Sequence, residues 1–259
     1  MKLIRDDFLK YAASCSGIDG GDTNAEYWFM GMEWSNENDL EDDYANDTWT
    51  IKKLEDVLIK DISKDIISDP QDWRLEENMA ILYRMLMSDT KENIFAKNSN
   101  SFKLNLLPLP FTGKSEGKNP HTSWTKNKEH RYSQMTGCRY FDEYVREVLP
   151  ARYELFQKLL QKNNKPKTIF CFGIGYHKEF LQALLSPTDN KIDEHIKPNN
   201  VELLKNFGKN VFVYDDATRI YGGASSLIKR IIVCYFPCPP VGKKFTADDW
   251  KQIYDLAIK

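Results

Sequence analysis

Four short runs of this chain are apolar on consecutive rather than alternate positions: "YWFMGMEW" (27–34), "KTIFCFG" (167–173), "NVFVYD" (210–215) and "RIIVCYF" (230–236). Side chains alternate between the two faces of a strand, so such runs are apolar on both faces and must be covered on both. Stretches with helical spacing lie between them. Residues 4–14, 50–67 (Ile51, Leu54, Leu58, Ile62), 74–88, 138–163 and "YHKEFLQALL" (176–185) carry that pattern, and a break is expected at Pro150. A short helix is expected near 223–229. "TADDWKQIYDLAI" closes the chain as a helix, with Thr246 as N-cap and Asp248 and Asp249 in its first turn. Strands alternating with helices predict an α/β fold: three α/β/α layers around a central, mainly parallel sheet. No repeat or linker divides the chain, so residues 1–259 are expected to form one domain.

Composition bounds the function classes. With 41% hydrophobic and 29% charged residues the chain is globular in character. No apolar run approaches the ~20 residues of a membrane span. "MKLIRDDFLKYAAS" places charges among its apolar residues, as an amphipathic helix does and a secretion signal does not. Five cysteines without a C-x-x-C pair predict a reduced, cytoplasmic protein without a disulfide framework. A monomer with no membrane partner, no metal and no cofactor is expected.

The net charge of −2 does not by itself point to nucleic acid, but its distribution is uneven. Residues 37–47 carry six acids and no base, whereas 112–139 have a local balance of +4. Charge runs are ordinarily solvated loops. The basic run differs in interleaving Lys114, Lys126 and Arg131 with Trp124, Tyr132, Tyr140 and Phe141, as a nucleic-acid surface does.

Several familiar motifs fail. "PLPFTGKS" (108–115) has Pro108 where a phosphate loop needs glycine, and "SEGKNPHTSW" cannot open a helix after it. "FGIGYHK" (172–178) has Lys178 in place of the third glycine of a dinucleotide fingerprint; a tight strand-to-helix turn accounts for Gly173 and Gly175. The four histidines include no metal-spaced pair.

Three strand ends hold together instead. "FMGMEWS" (29–35) puts Gly31 at the end of a buried strand and Glu33 just beyond it, beside Met32 and Trp34. "FKLNLLPLPF" (102–111) interrupts a strongly apolar run with Asn105, whose amide costs free energy if buried unsatisfied. "CYFPCPPVGKKF" (234–245) runs from a strand into a proline-stiffened loop bearing Lys243 and Lys244, which could meet phosphate. Each has a bland reading alone: a loop carboxylate, an Asn bonding its own backbone, a surface turn.

In chain order the trio resembles the uracil-DNA glycosylase superfamily, over roughly residues 25–245. Gly31-Met32-Glu33-Trp34 is similar to the motif after that family's first strand, with Glu33 at the water-activating position. Asn105 resembles the asparagine that reads the edge of a flipped pyrimidine. Phe236-Pro237-Cys238-Pro239 is similar to the last motif, whose loop enters the minor groove. Trp34 replaces the motif proline and Phe236 the motif histidine, which turns the expectation away from plain uracil.

The resemblance implies hydrolysis of the N-glycosidic bond of an extruded modified pyrimidine in double-stranded DNA, leaving an abasic site. It extends to bacterial antiphage glycosylases that remove glucosylated hydroxymethylcytosine from phage DNA. It implies catalysis by Glu33 and Asn105. Gly31, Met32, Trp34, His121, Trp124 and Phe236 would line the base pocket, together with Asp19 and Asp22 of "GIDGGD" (17–22), otherwise a glycine-rich turn. Lys114, Lys126, Arg131, Pro239, Lys243 and Lys244 would contact DNA. The rival readings are a non-catalytic reader of a modified base, a uracil or damaged-base repair glycosylase, and an unrelated nucleotide or sugar hydrolase.

Overall fold

A computed structural model of the chain describes residues 6–15, 18–32, 74–88, 94–95, 99–109, 124, 131–162, 166–185, 197–215, 228–235 and 245–259. Seven strands form one sheet: β1 (Ile18–Gly21), β2 (Tyr27–Gly31), β3 (Ser101–Asn105), β4 (Thr168–Phe172), β5 (Asn200–Leu204), β6 (Lys209–Asp215) and β7 (Arg230–Cys234). Their spatial order is β1-β3-β2-β4-β7-β6-β5. β3, β2, β4 and β7 run parallel to their neighbours in this group, whereas β1, β6 and β5 pair antiparallel at the two sides. The α/β fold is as expected, and its sheet is mixed: the four central strands pair in parallel, with antiparallel pairing at the two sides.

The central strands alternate between two cores. Trp28, Met30, Ile169, Cys171, Ile231 and Val233 face one cluster, while Phe29, Phe170, Phe172, Ile232 and Cys234 face the other. The first core is closed by α1 (Asp6–Ala12), α4 (Phe141–Lys162) and α5 (His177–Leu185). The second is closed by α2 (Arg74–Leu86) and α6 (Ala247–Ile258), with Trp250 Nε1 donating to Asn78 Oδ1 at 3.1 Å. The short α3 (Arg131–Thr136) adds Tyr132 to the first core. Helices therefore cover both faces of the sheet, as strands apolar on both faces demand.

Three local expectations change. α4 runs unbroken through Pro150 for 22 residues. Tyr144, Val148 and Leu149 before Arg152, and Phe156 and Leu159 after it, are buried on one face, so core packing holds both halves in one helix although the proline lacks an N–H. "GIDGGD" is not a turn but strand β1, with a bulge between Ile18 and Gly20. β5 carries no strand signal because its first four residues are exposed or half-buried; the turn through Gly208 hairpins it onto β6. Thr246 does cap α6, in a reciprocal box with Asp249. The helix expected over 50–67 lies outside the described residues, as does 223–227 of the one expected near 223–229, whose last two residues are described and not helical.

Candidate functional site

Parallel strands of an open α/β sheet end on a common edge, and ligands bind outside their carboxyl ends. Here that edge carries Asn105 of β3, Gly31 of β2, Gly173 after β4 and Cys234 of β7. Gly31 and Asn105 are register partners. The ladder continues past them, with Leu106 N donating to Gly31 O at 2.9 Å and Leu107 N to Met32 O at 2.7 Å. Gly173 N donates to Cys234 O at 2.9 Å. Gly173 has φ +136°, and a Cβ there would collide with Cγ and Sδ of Met32. Glycine thus lets the residue after β2 lie against the end of β4. The starts of the three predicted motifs are thereby brought side by side.

Asn105 is 1% exposed, so its amide is shut off from solvent. β3 has one apolar face, Phe102 and Leu104, packed in the first core. Its other face is Ser101, Lys103 and Asn105, a polar row that is nonetheless buried. The Oδ1 atom of Asn105 is buried. The residue's backbone oxygen accepts from Nη2 of Arg152 at 2.8 Å.

Arg152 is the residue that sequence reasoning missed. It is wholly buried in mid-α4 and donates to four carbonyls: Asn105 O, Leu106 O (3.3 Å), Ala12 O (3.2 Å) and Ser14 O (2.9 Å). Its guanidinium also lies 5.0 Å from the centre of the Phe156 ring. Five donors in a fixed fork suit this task, which ties the end of β3 to the end of α1. Burial pulls its pKa down to about 10, so it remains charged at neutral pH. The available signal was its place on the apolar face of α4, four residues after Val148 and four before Phe156. Lys103 was also overlooked. Its signal is the strict alternation of "SFKLN", which sets it two residues before Asn105 on the same face. At 4% exposed, it is a buried cation, and such groups are held by partners.

Other predicted residues fall elsewhere. Asp22 follows β1, which runs antiparallel to β3; its N–H donates to Ser101 O at the opposite end of that strand. Its carboxylate accepts from Asn24 N at 2.8 Å, so it closes its own turn rather than lining a pocket with Asn105. Trp124 is fully buried among the rings of Tyr132, Phe141 and Tyr144, 5.1–5.8 Å away, and so belongs to the first core rather than to a ligand wall. Asp19 stands in the β1 bulge and Arg131 opens α3; their side chains lie outside the description. Glu33, Trp34, Lys114, His121, Lys126, Phe236, Pro239, Lys243 and Lys244 lie outside the described residues.

Burial pushes the thiols of Cys171 and Cys234, on adjacent strands, well above their ordinary value. Among the described residues no cluster of three His, Cys, Asp or Glu could hold a metal, and no helix is long and apolar enough to cross a membrane. No protein-family model, curated protein or solved structure matches the chain.

Proposed function

We propose that this protein is a metal-free DNA glycosylase with a uracil-DNA glycosylase-like fold, acting on an extruded modified pyrimidine. The observation that carries the reading is the pairing of Gly31 with Asn105 at the carboxyl edge of the parallel strands. It sets the residue that would read the base next to the strand from which Glu33 follows two positions later. An amide offers one donor and one acceptor to a pyrimidine edge, and a buried site discriminates sharply against a mismatched one. The buried guanidinium of Arg152 holds the backbone of Asn105, and the buried Lys103 lies two residues before it on the same strand face. Breaking an N-glycosidic bond leaves negative charge on the departing base, and fixed positive charge in a dry site favours that change. A carboxylate at Glu33 would orient water and stabilise the positively charged sugar.

The test is incubation of the protein with double-stranded DNAs bearing uracil, hydroxymethylcytosine or glucosylated hydroxymethylcytosine, followed by an assay for abasic sites. Excision of a cytosine derivative enlarged at the 5 position, well above uracil, is the expected result. Failure to release any base would overturn the glycosylase reading. Tight binding without release would favour the non-catalytic reader.

A further inference from the structure

The turn that joins β5 to β6 stands at the same edge of the sheet as Gly31 and Asn105. β6 runs antiparallel to β7, with Phe212 opposite Val233, so its first residue, Lys209, begins beside the carboxyl end of β7. Leu204 closes β5 as the register partner of Lys209. Residues 205–208 therefore project past the edge where the parallel strands end. Asn105 of β3 and Lys209 of β6 are four strand positions apart in the sheet. At the usual strand spacing that is about 19 Å, or about six base pairs along a duplex.

The turn is fastened to the amino end of α6. Lys205 N donates to Gln252 Oε1 at 3.1 Å, and Phe207 N to Asp249 Oδ1 at 3.2 Å. Asn206 Nδ2 donates to Thr246 Oγ1 at 3.0 Å and to Asp248 Oδ2 at 3.3 Å. Phe207 packs edge-on against Phe245, with ring centres 4.7 Å apart. Gly208, at φ +72°, donates its N–H back to Leu204 O at 2.7 Å and closes the hairpin. A surface ordered before binding loses little freedom when a ligand arrives.

Two lysines are left over by this arrangement. Lys205 and Lys209 are exposed neighbours across the hairpin, and neither ammonium has a carboxylate partner among the described residues. The nearby acids are taken. Glu202 accepts from Asn200 Nδ2 at 2.8 Å, Asp248 accepts from Asn206, and Asp249 is buried in the capping box of α6. Lys209 Nζ lies 5.5 Å from the ring centre of the half-buried Tyr235, which follows β7 directly. An ammonium is a donor-only charge, and lysines set beside an aromatic ring on an ordered edge suit a phosphate backbone. We propose that the β5–β6 turn is a phosphate-contacting surface for double-stranded DNA, with Lys205 and Lys209 meeting backbone phosphates several base pairs from the nucleotide read at Asn105. The proposal rests on the glycosylase reading for its choice of partner. Such contacts carry no sequence information; they add affinity and set the register of the duplex.

The experiment measures binding of the full chain to a fluorescent duplex of unmodified bases, about 20 base pairs long, between about 50 and 200 mM salt. K205Q/K209Q is expected to weaken binding to all sequences alike and to flatten the dependence of log Kd on log salt by about one to two units. Its melting temperature should match the wild type, because both side chains are exposed and the turn is held through other groups. K205R/K209R keeps both charges and should keep the wild-type slope. K167Q/K229Q removes the same charge from the opposite edge, before β4 and β7, and should change the slope by less than about half a unit. An unchanged slope in K205Q/K209Q, an equal fall in K167Q/K229Q, or no binding of the wild type to any duplex overturns the proposal. Base release is scored separately, on the modified duplexes. Binding through the two lysines without base release leaves the surface standing and removes the excision reading. Base release with an unchanged slope in K205Q/K209Q removes the surface alone.

Discussion

Arg152 and Asn105 show how one side chain can set the position of another. The arginine holds the peptide of Asn105 from behind, through its carbonyl, while the amide lies in the polar row of β3. Replacing Arg152 by Met removes four hydrogen bonds to carbonyls in a dry setting. A loss of about 3 kcal/mol or more in denaturant unfolding is expected, and Arg152→Lys should recover only part, since an ammonium lacks the planar fork. Under the glycosylase reading, Glu33→Gln should preserve DNA binding and lower single-turnover excision by about a hundredfold or more. Asn105→Ala should abolish discrimination between bases. Because the amide is buried, it should also lower stability by about 1 kcal/mol. An unchanged excision rate in the Glu33 variant would remove that carboxylate from the mechanism.

At the scale of elements, α4 and α6 make opposite predictions. Pro150 contributes no N–H to an otherwise continuous helix and its side chain is exposed, so Pro150→Ala should raise the melting temperature. Thr246→Ala removes the side-chain half of the capping box, leaving its backbone N–H on Asp249, and should lower stability by about 1 kcal/mol, read in the same thermal unfolding. The amino ends of β2 and β4 are joined by Thr168 N donating to Glu26 O at 3.1 Å, and by the ion pair of Glu26 with Lys167. The Lys167 ammonium holds the Glu26 carboxyl below its ordinary value, with Asn100 assisting. A carboxylate lowered on folding stabilises the fold above its unfolded pKa, and that contribution is lost as the pH falls through the lowered value. Glu26→Gln should therefore reduce stability slightly at neutral pH and leave it unaffected in strong acid. The pair is largely exposed, so its effect stays within about 1 kcal/mol.

For the whole molecule, the four cysteines among the described residues, Cys15, Cys138, Cys171 and Cys234, form no disulfide and are buried. These four should resist a thiol reagent at neutral pH in the native protein and react on unfolding, which a quantitative thiol titration checks. The residue pattern determined the core strands and most helices, because runs such as "TIFCF" and "RIIVC" are apolar on both faces and fit nowhere but a covered sheet. Thr246 was likewise legible as a cap, since capping is settled within four residues. Strand direction was not. β1 and β5 pair antiparallel at the two sides, where short or exposed strands carry no two-faced pattern. The candidate site divides along the same line. Asn105 and Gly31 could be singled out because each breaks an apolar run, a local signal. That they face each other in register, that Asp22 lies at the other end of β3, that Trp124 is core, and that Arg152 reaches Asn105 across 47 residues depend on long-range pairing and packing. Only the tertiary structure decided these, because the carbonyls that hold a buried guanidinium are the same on every residue and leave no mark in the sequence.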